Sequence, residues 1–146
     1  KVSLHLIGKG NMTESYRKQA IDLGVLDRVS FHNWMDINAI QTFISKCAVG
    51  VFPSRIESFG LSMAEAMAAG LPIIATRVGA LPEFIEDGVT GYIVDPRSSE
   101  DLARKITKFF LHDNSNMGQN AYKAFRDKYS LSHHSKKLLN CYRKKI

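Results

Sequence analysis

The chain has 146 residues, 45% of them hydrophobic and 23% charged, which suits a single globular domain with a real core rather than a disordered or fibrous segment. No apolar run approaches ~18 residues, so neither a spanning helix nor a secretory leader is expected, and a cytoplasmic protein is. The net charge of +6 favours an anionic ligand or surface without choosing between a nucleoside diphosphate, a membrane and a nucleic acid. Cys47 and Cys141 lie in apolar helical contexts without metal-ligand spacing and read as reduced, buried thiols. The chain opens at Lys1 rather than Met, which points to a piece of a longer polypeptide.

Val2–Ile7 alternates and stops at Gly8, a strand running into a Gly8-Lys9-Gly10 loop, with a helix over Met12–Leu23 carrying Tyr16, Ala20 and Leu23 on one side. Gly8 and Gly10 read either as a backbone cradle for a ligand or as a plain tight turn; Lys9 either touches the ligand or faces water. Arg28–His32 is the next strand. Asn33-Trp34-Met35-Asp36 follows, and Asp36 caps a helix with Ile37, Ile40, Ile44 and Cys47 on one stripe.

Ala48–Phe52 is short, apolar and stopped by Pro53, as a strand covered on both faces should be, and Ile73–Thr76 after Pro72 is a second. Between them the Ala-rich segment Leu61–Ala69 is expected to be helical and able to lie close on a sheet, with Gly70 as its stop. Such a unit places the Ser54–Gly60 loop at the carboxyl edge of a parallel sheet, where open α/β folds bind ligands. It also feeds a helix N-terminus, whose free N–H groups around Phe59, Gly60 and Leu61 attract a phosphate. Glu57 and Glu65 flank this point. A carboxylate is a poor phosphate ligand but a good acceptor for hydroxyls, so phosphate plus hydroxyls suggests a nucleotide sugar.

Gly79-Ala80-Leu81-Pro82-Glu83 turns into a short helix ending at Asp87-Gly88; Glu83, near its start, reads as structural, and Ala80 implies that its position needs no positive φ. Gly91–Val94 is the last strand. Three helices follow. Ser98 or Ser99 caps the first, with Leu102, Ile106 and Phe109 inward; the second buries Met117, Ala121 and Phe125, and the third Leu131, Leu138 and Tyr142. His133 and His134, adjacent on a helix, point apart and read as exposed or capping residues. Arg143-Lys144-Lys145 reads as a solvated basic end, with attraction to an anionic membrane as the sharper alternative. The alternation of strands and helices gives a Rossmann-like, doubly wound parallel α/β sheet ending in several helices.

P-S-R-I-E-S-F-G-L-S-M-A-E-A-M-A-A-G-L-P-I-I-A-T, with V-G-A-L-P-E and D-G-V-T-G-Y-I-V-D-P after it, resembles the E-x7-E region of retaining GT-B-fold glycosyltransferases, family 4 (glycosyl transferases group 1). The similarity runs from H-L-I-G-K-G nearly to the end. It implies that residues 1–146 form the C-terminal, donor-binding half of a two-domain enzyme, without the acceptor domain and without the first strand of this one. It further implies that Glu65 accepts from the ribose hydroxyls and that Glu57 contacts the donor sugar. Glu57 then serves as positioner and charge stabiliser in a front-face reaction, not as a covalent nucleophile. Backbone amides along Ser58, Phe59, Gly60 and Leu61 would hold sugar or diphosphate oxygens, and Arg55 would help neutralise the leaving group, its alternative being a surface side chain. Gly8 and Gly10 match a G-x-G of the family. The loop holding Asn33 and Trp34 would lie over the base, with Trp34 either stacking on it or packing beneath the loop.

The implied reaction transfers a glycosyl unit from a nucleoside diphosphate sugar to an acceptor sugar or glycolipid hydroxyl with retention, in polysaccharide, lipopolysaccharide or glycolipid assembly. It needs no metal or other cofactor, and the chain has no Asp-x-Asp pair. Peripheral membrane association is compatible with the charge; nucleic-acid binding is not expected. This chain alone should bind donors weakly and not turn over. A non-catalytic nucleotide-sugar sensor is the first rival reading, and a nucleotide-sugar epimerase the second.

Overall fold

The computed structural model describes residues 2–143, and the chain divides into two compact units between Thr42 and Phe43. The first unit runs from β1 (Leu4–Ile7) through α1 (Thr13–Asp22), a single 3-10 turn at Leu26–Arg28 and β2 (Val29–His32) into α2 (Ile37–Ile44). β1 and β2 pair in parallel, from Leu4 opposite Val29 to Ile7 opposite His32. Asp36 caps α2 as expected, its carboxylate accepting the Ala39 N–H at 2.8 Å. The inward stripe expected of α1 is reduced to Ala20, with Tyr16 and Leu23 exposed. A two-stranded sheet offers a narrow surface, and the Arg17 guanidinium lies over the Phe31 ring, 4.6 Å from its centroid.

The second unit is three-layered. Its sheet has the order β3 (Gly50–Phe52), β4 (Ile73–Thr76), β5 (Gly91–Val94), all parallel. β4 is central, and all four of its residues are buried, the reason its sequence reads as a continuous apolar run instead of an alternating one. Ile73 and Ala75 face a core built with α3 (Leu61–Ala68), α4 (Leu81–Phe84) and α6 (Met117–Tyr129). Ile74, between them, faces the opposite core, which Tyr92, Val94, Phe109 and Met117 complete beneath α5 (Ser99–Leu111). The small residues Ala64 and Ala66 let α3 lie close to the sheet, while Met63 and Met67 are wholly buried.

Ser98, rather than Ser99, caps α5: its hydroxyl accepts the Asp101 N–H at 3.1 Å. Asp101 in turn accepts the Asp95 N–H at 2.8 Å and pairs with Arg104, so its carboxyl is held below the usual carboxylate range, first by that backbone N–H and then by Arg104.

Three expectations are corrected. The short helix does not reach Asp87-Gly88. α4 ends at Phe84, because Ile85 is extended and the chain goes on to bridge Asp87 to Gly91, with the Asp87 carboxylate accepting the Ile93 N–H. The last helix, α7 (Leu131–Arg143), buries none of its residues; Leu131, Leu138 and Tyr142 are 81%, 47% and 63% exposed, since α7 runs off the layered core with α6 as its main neighbour. Cys141 on α7 is therefore exposed rather than buried. Cys47 is half-buried, and that burial pushes its thiol pKa up. His134 is exposed and His133 half-buried, with the Ser130 hydroxyl oxygen accepting the His133 N–H. Of the basic end, Lys144 and Lys145 lie outside the described residues. Among those described, no helix is long and apolar enough to cross a membrane.

Candidate functional site

Parallel pairing sends the chain out of β3, β4 and β5 on one edge, so the loops after Phe52, Thr76 and Val94 share it. The first of these, Ser54–Gly60, carries most of the predicted site residues. It ends at Gly60, the N-cap of α3, which has φ +89 and is buried. A side chain here would be strained and would also collide, since an added Cβ would sit 2.5 Å from a Leu81 methyl. Gly60 caps without a side-chain hydrogen bond, so the first-turn N–H groups of α3 retain the anion-attracting character of a helix start. The Glu57 side chain passes the same point: its Cγ lies 3.8 Å from where a Gly60 Cβ would be, and its Oε1 accepts the Ser58 N–H at 3.1 Å.

Glu65 lies one turn into α3. The inward positions of that helix are Met63, Ala64, Ala66 and Met67, which leaves Glu65 on the open face with Leu61 and Ser62. A half-buried Glu57 and an exposed Glu65 thus bracket the same helix start. Arg55, Ser58, Phe59 and Leu61 are all exposed on or beside this loop. The first-turn amides of α3, two carboxylates and one cation are therefore grouped on one structural segment.

Behind the loop stands a ladder of rings that sequence reading did not assign. Phe59 meets Phe84 edge-on with centroids 5.3 Å apart, and Phe84 stacks on Tyr129 at 4.1 Å. The Tyr129 hydroxyl donates to the Glu83 carbonyl at 2.8 Å, and its pKa is raised, first by burial and then by the nearby Glu83 charge. The loop after β4 packs on the same segment. Gly79 has φ +51, and a Cβ there would lie 1.8 Å from the Glu57 carbonyl oxygen, so only glycine allows this approach. Ala80 has φ −81, consistent with the expectation that it needs no left-handed backbone. Arg77, a second cation on this edge, stands 3.9 Å from the Asp95 carboxylate. The ring ladder brings together residues far apart in the chain, so only the P-S-R and V-G-A-L-P-E flanks could have hinted at these supports.

The remaining predicted residues belong to the first unit. Gly8 and Gly10 are exposed; the Gly8 N–H donates to the His32 carbonyl at 3.1 Å, and the Gly10 carbonyl accepts from both the N–H and the hydroxyl of Thr13. The Gly8 amide is thus committed to the fold. Asn33 is exposed, and Trp34 is 78% exposed, which overturns the reading that it packs beneath its loop. Among the described residues, no group of three or more metal-ligating side chains could hold an ion.

A parallel α/β sheet with a glycine-capped helix start and flanking carboxylates at its carboxyl edge defines the Rossmann-like class of nucleotide-associated folds. Within that class the chain belongs to the glycosyl transferases group 1 family, whose model matches residues 1–124. It is 38% identical over 96 residues to a D-inositol 3-phosphate glycosyltransferase of Streptomyces griseus subsp. griseus, covering 66% of this chain and 20% of that protein. The fold superposes on a sucrose-phosphate synthase from Thermosynechococcus elongatus with a TM-score of 0.82 at 28% identity, covering 97% of this chain and 38% of that one. It superposes on Anabaena HepE, solved in complex with UDP, with a TM-score of 0.86 at 22% identity, covering 98% and 41%. The architecture is that of one part of the GT-B glycosyltransferase fold. The chain spans between a fifth and two fifths of the length of these proteins.

Proposed function

We propose that this chain is the donor-binding part of a retaining glycosyltransferase. The observation that carries the reading is the pairing of Glu57 and Glu65 about the Gly60-capped start of α3. In this reading the α3 amides hold sugar or diphosphate oxygens, Glu65 accepts from the ribose hydroxyls, and Glu57 positions the donor sugar and stabilises charge as the glycosidic bond breaks. Arg55 offsets charge on the departing diphosphate, supported by the α3 dipole. That supply of positive charge is what lets the reaction run without a metal ion. The acceptor, a sugar or glycolipid hydroxyl, is bound by the rest of the polypeptide, and the transfer serves polysaccharide, lipopolysaccharide or glycolipid assembly at the cytoplasmic face of a membrane.

The test is an NMR titration of the chain with UDP, GDP, ADP and their glucose conjugates, repeated on Glu65→Ala. One nucleotide should shift the amides around Gly60 and Glu65, and the variant should lose at least tenfold in affinity, the size of one charge-assisted hydrogen bond of ~1.5–3 kcal/mol. If no nucleotide perturbs that loop, even in a longer polypeptide that restores an upstream strand, the donor-site reading is wrong.

A further inference from the structure

We infer that Thr76 is the positioning residue of the Glu57 loop, an inference that rests on the donor-site reading for its functional half only. Pairing between β3 and β4 ends with Phe52 opposite Ala75. The next residue on β3's side is Pro53, which has no N–H to continue the ladder. At that level a side chain takes over: the Thr76 hydroxyl donates to the Ser54 carbonyl at 2.6 Å and approaches the Phe52 carbonyl at 3.5 Å. Thr76 is 4% exposed, one of two buried polar residues in the described chain, and the Ser54 carbonyl it meets is half-buried, so the bond is partly shielded from water.

The bond acts where the chain leaves the sheet. Three and five residues downstream the same β4 exit reaches the loop twice more, with Gly79 against the Glu57 carbonyl and Leu81 against Gly60. Segment 76–81 therefore holds the loop at its start, middle and end. The two later contacts are steric and limit approach. Thr76 supplies the directional bond, and it fixes the peptide just before Arg55. A valine of the same shape would keep strand β4 and lose the donor; a serine would keep the donor and lose a methyl.

The experiment uses Thr76→Val and Thr76→Ser in the 146-residue chain. In the free protein, Thr76→Val should shift the amides of residues 54–60 and speed their hydrogen exchange at least tenfold, with β4 and β5 amides unmoved, while Thr76→Ser stays near the parent. With UDP, GDP and ADP as probes, Thr76→Val should bind the responding nucleotide roughly tenfold more weakly and Thr76→Ser should restore binding, the change expected when a half-buried carbonyl loses its donor. Equal loop exchange in parent and valine variant would overturn the inference. So would equal loss in both variants, which marks packing, or changes spread through β4 and β5. If the parent binds no nucleotide, the donor-site reading has failed, while the exchange comparison still decides whether Thr76 orders the loop.

Discussion

At the scale of single residues, the candidate site rests on two glycines that both take left-handed backbone and both lack room for a side chain. Gly60 starts α3 in the left-handed region against Leu81, and Gly79 lets the Glu57 carbonyl approach. Gly79→Ala should destabilise the chain by at least ~1–2 kcal/mol, the usual cost of an L residue in that region, before the clash with Glu57 is counted. It should also weaken nucleotide binding, because relief of the clash must move the Glu57 peptide. Gly10→Ala is the control: a Cβ there meets no atom within 4 Å, so stability should change by less than ~0.5 kcal/mol. Urea unfolding of the two variants checks the contrast, and equal midpoints would show that the Gly79 contact relaxes freely.

At the scale of elements, α5 illustrates how a helix start ties a strand end. Ser98 caps the first turn and Asp101 reaches back to the Asp95 N–H just beyond β5. Ser98→Ala should cost about 1 kcal/mol by removing the cap. Because the Asp101 pKa is depressed in the folded chain, its contribution is present above the ordinary value of ~3.9 and is lost as pH falls through the lower folded value. Asp113, held down by the N–H and then the hydroxyl of Ser115, acts in the same direction. Melting temperature should therefore fall on acidification below pH ~4. Asp101→Asn should flatten that drop; an unchanged pH profile would mean that the bond to Asp95 carries little free energy.

At the scale of the whole molecule, the net charge of +6 acts on whatever binds at the carboxyl edge. A nucleoside diphosphate should be attracted to the chain over distances beyond contact, so its dissociation constant should rise several-fold between ~0.05 and ~0.5 M salt. Isothermal titration at the two salt concentrations measures this directly, and an affinity independent of salt would place recognition in short-range hydrogen bonds alone.

The sequence by itself determined the order of the elements and marked the Ser54–Gly60 segment on which the proposed donor site is built. Apolar runs bounded by Pro53, Pro72 and Gly70 defined the strands and α3, because local backbone chemistry enforces those stops. The grouping of Glu57 and Glu65 about Gly60 was legible through the resemblance of the surrounding P-S-R and E-A-M-A-A-G-L-P runs to a known family, since two glutamates at that spacing say little alone. It could not determine which amphipathic surfaces would find partners. The stripe Leu131, Leu138, Tyr142 has the same periodicity as that of α5, yet only α5 lies on the sheet, and Trp34 has an apolar ring whatever covers it. The supports of the site were likewise invisible: Thr76 reads as the end of a buried strand, and Tyr129 as one more helix residue. Their roles arise when β4 meets the loop after β3 and when α6 brings Tyr129 to Phe84. Such contacts join positions tens of residues apart, and periodicity and turn chemistry act only between near neighbours in the chain. Tertiary packing alone decided which hydroxyl and which ring would stand behind Glu57.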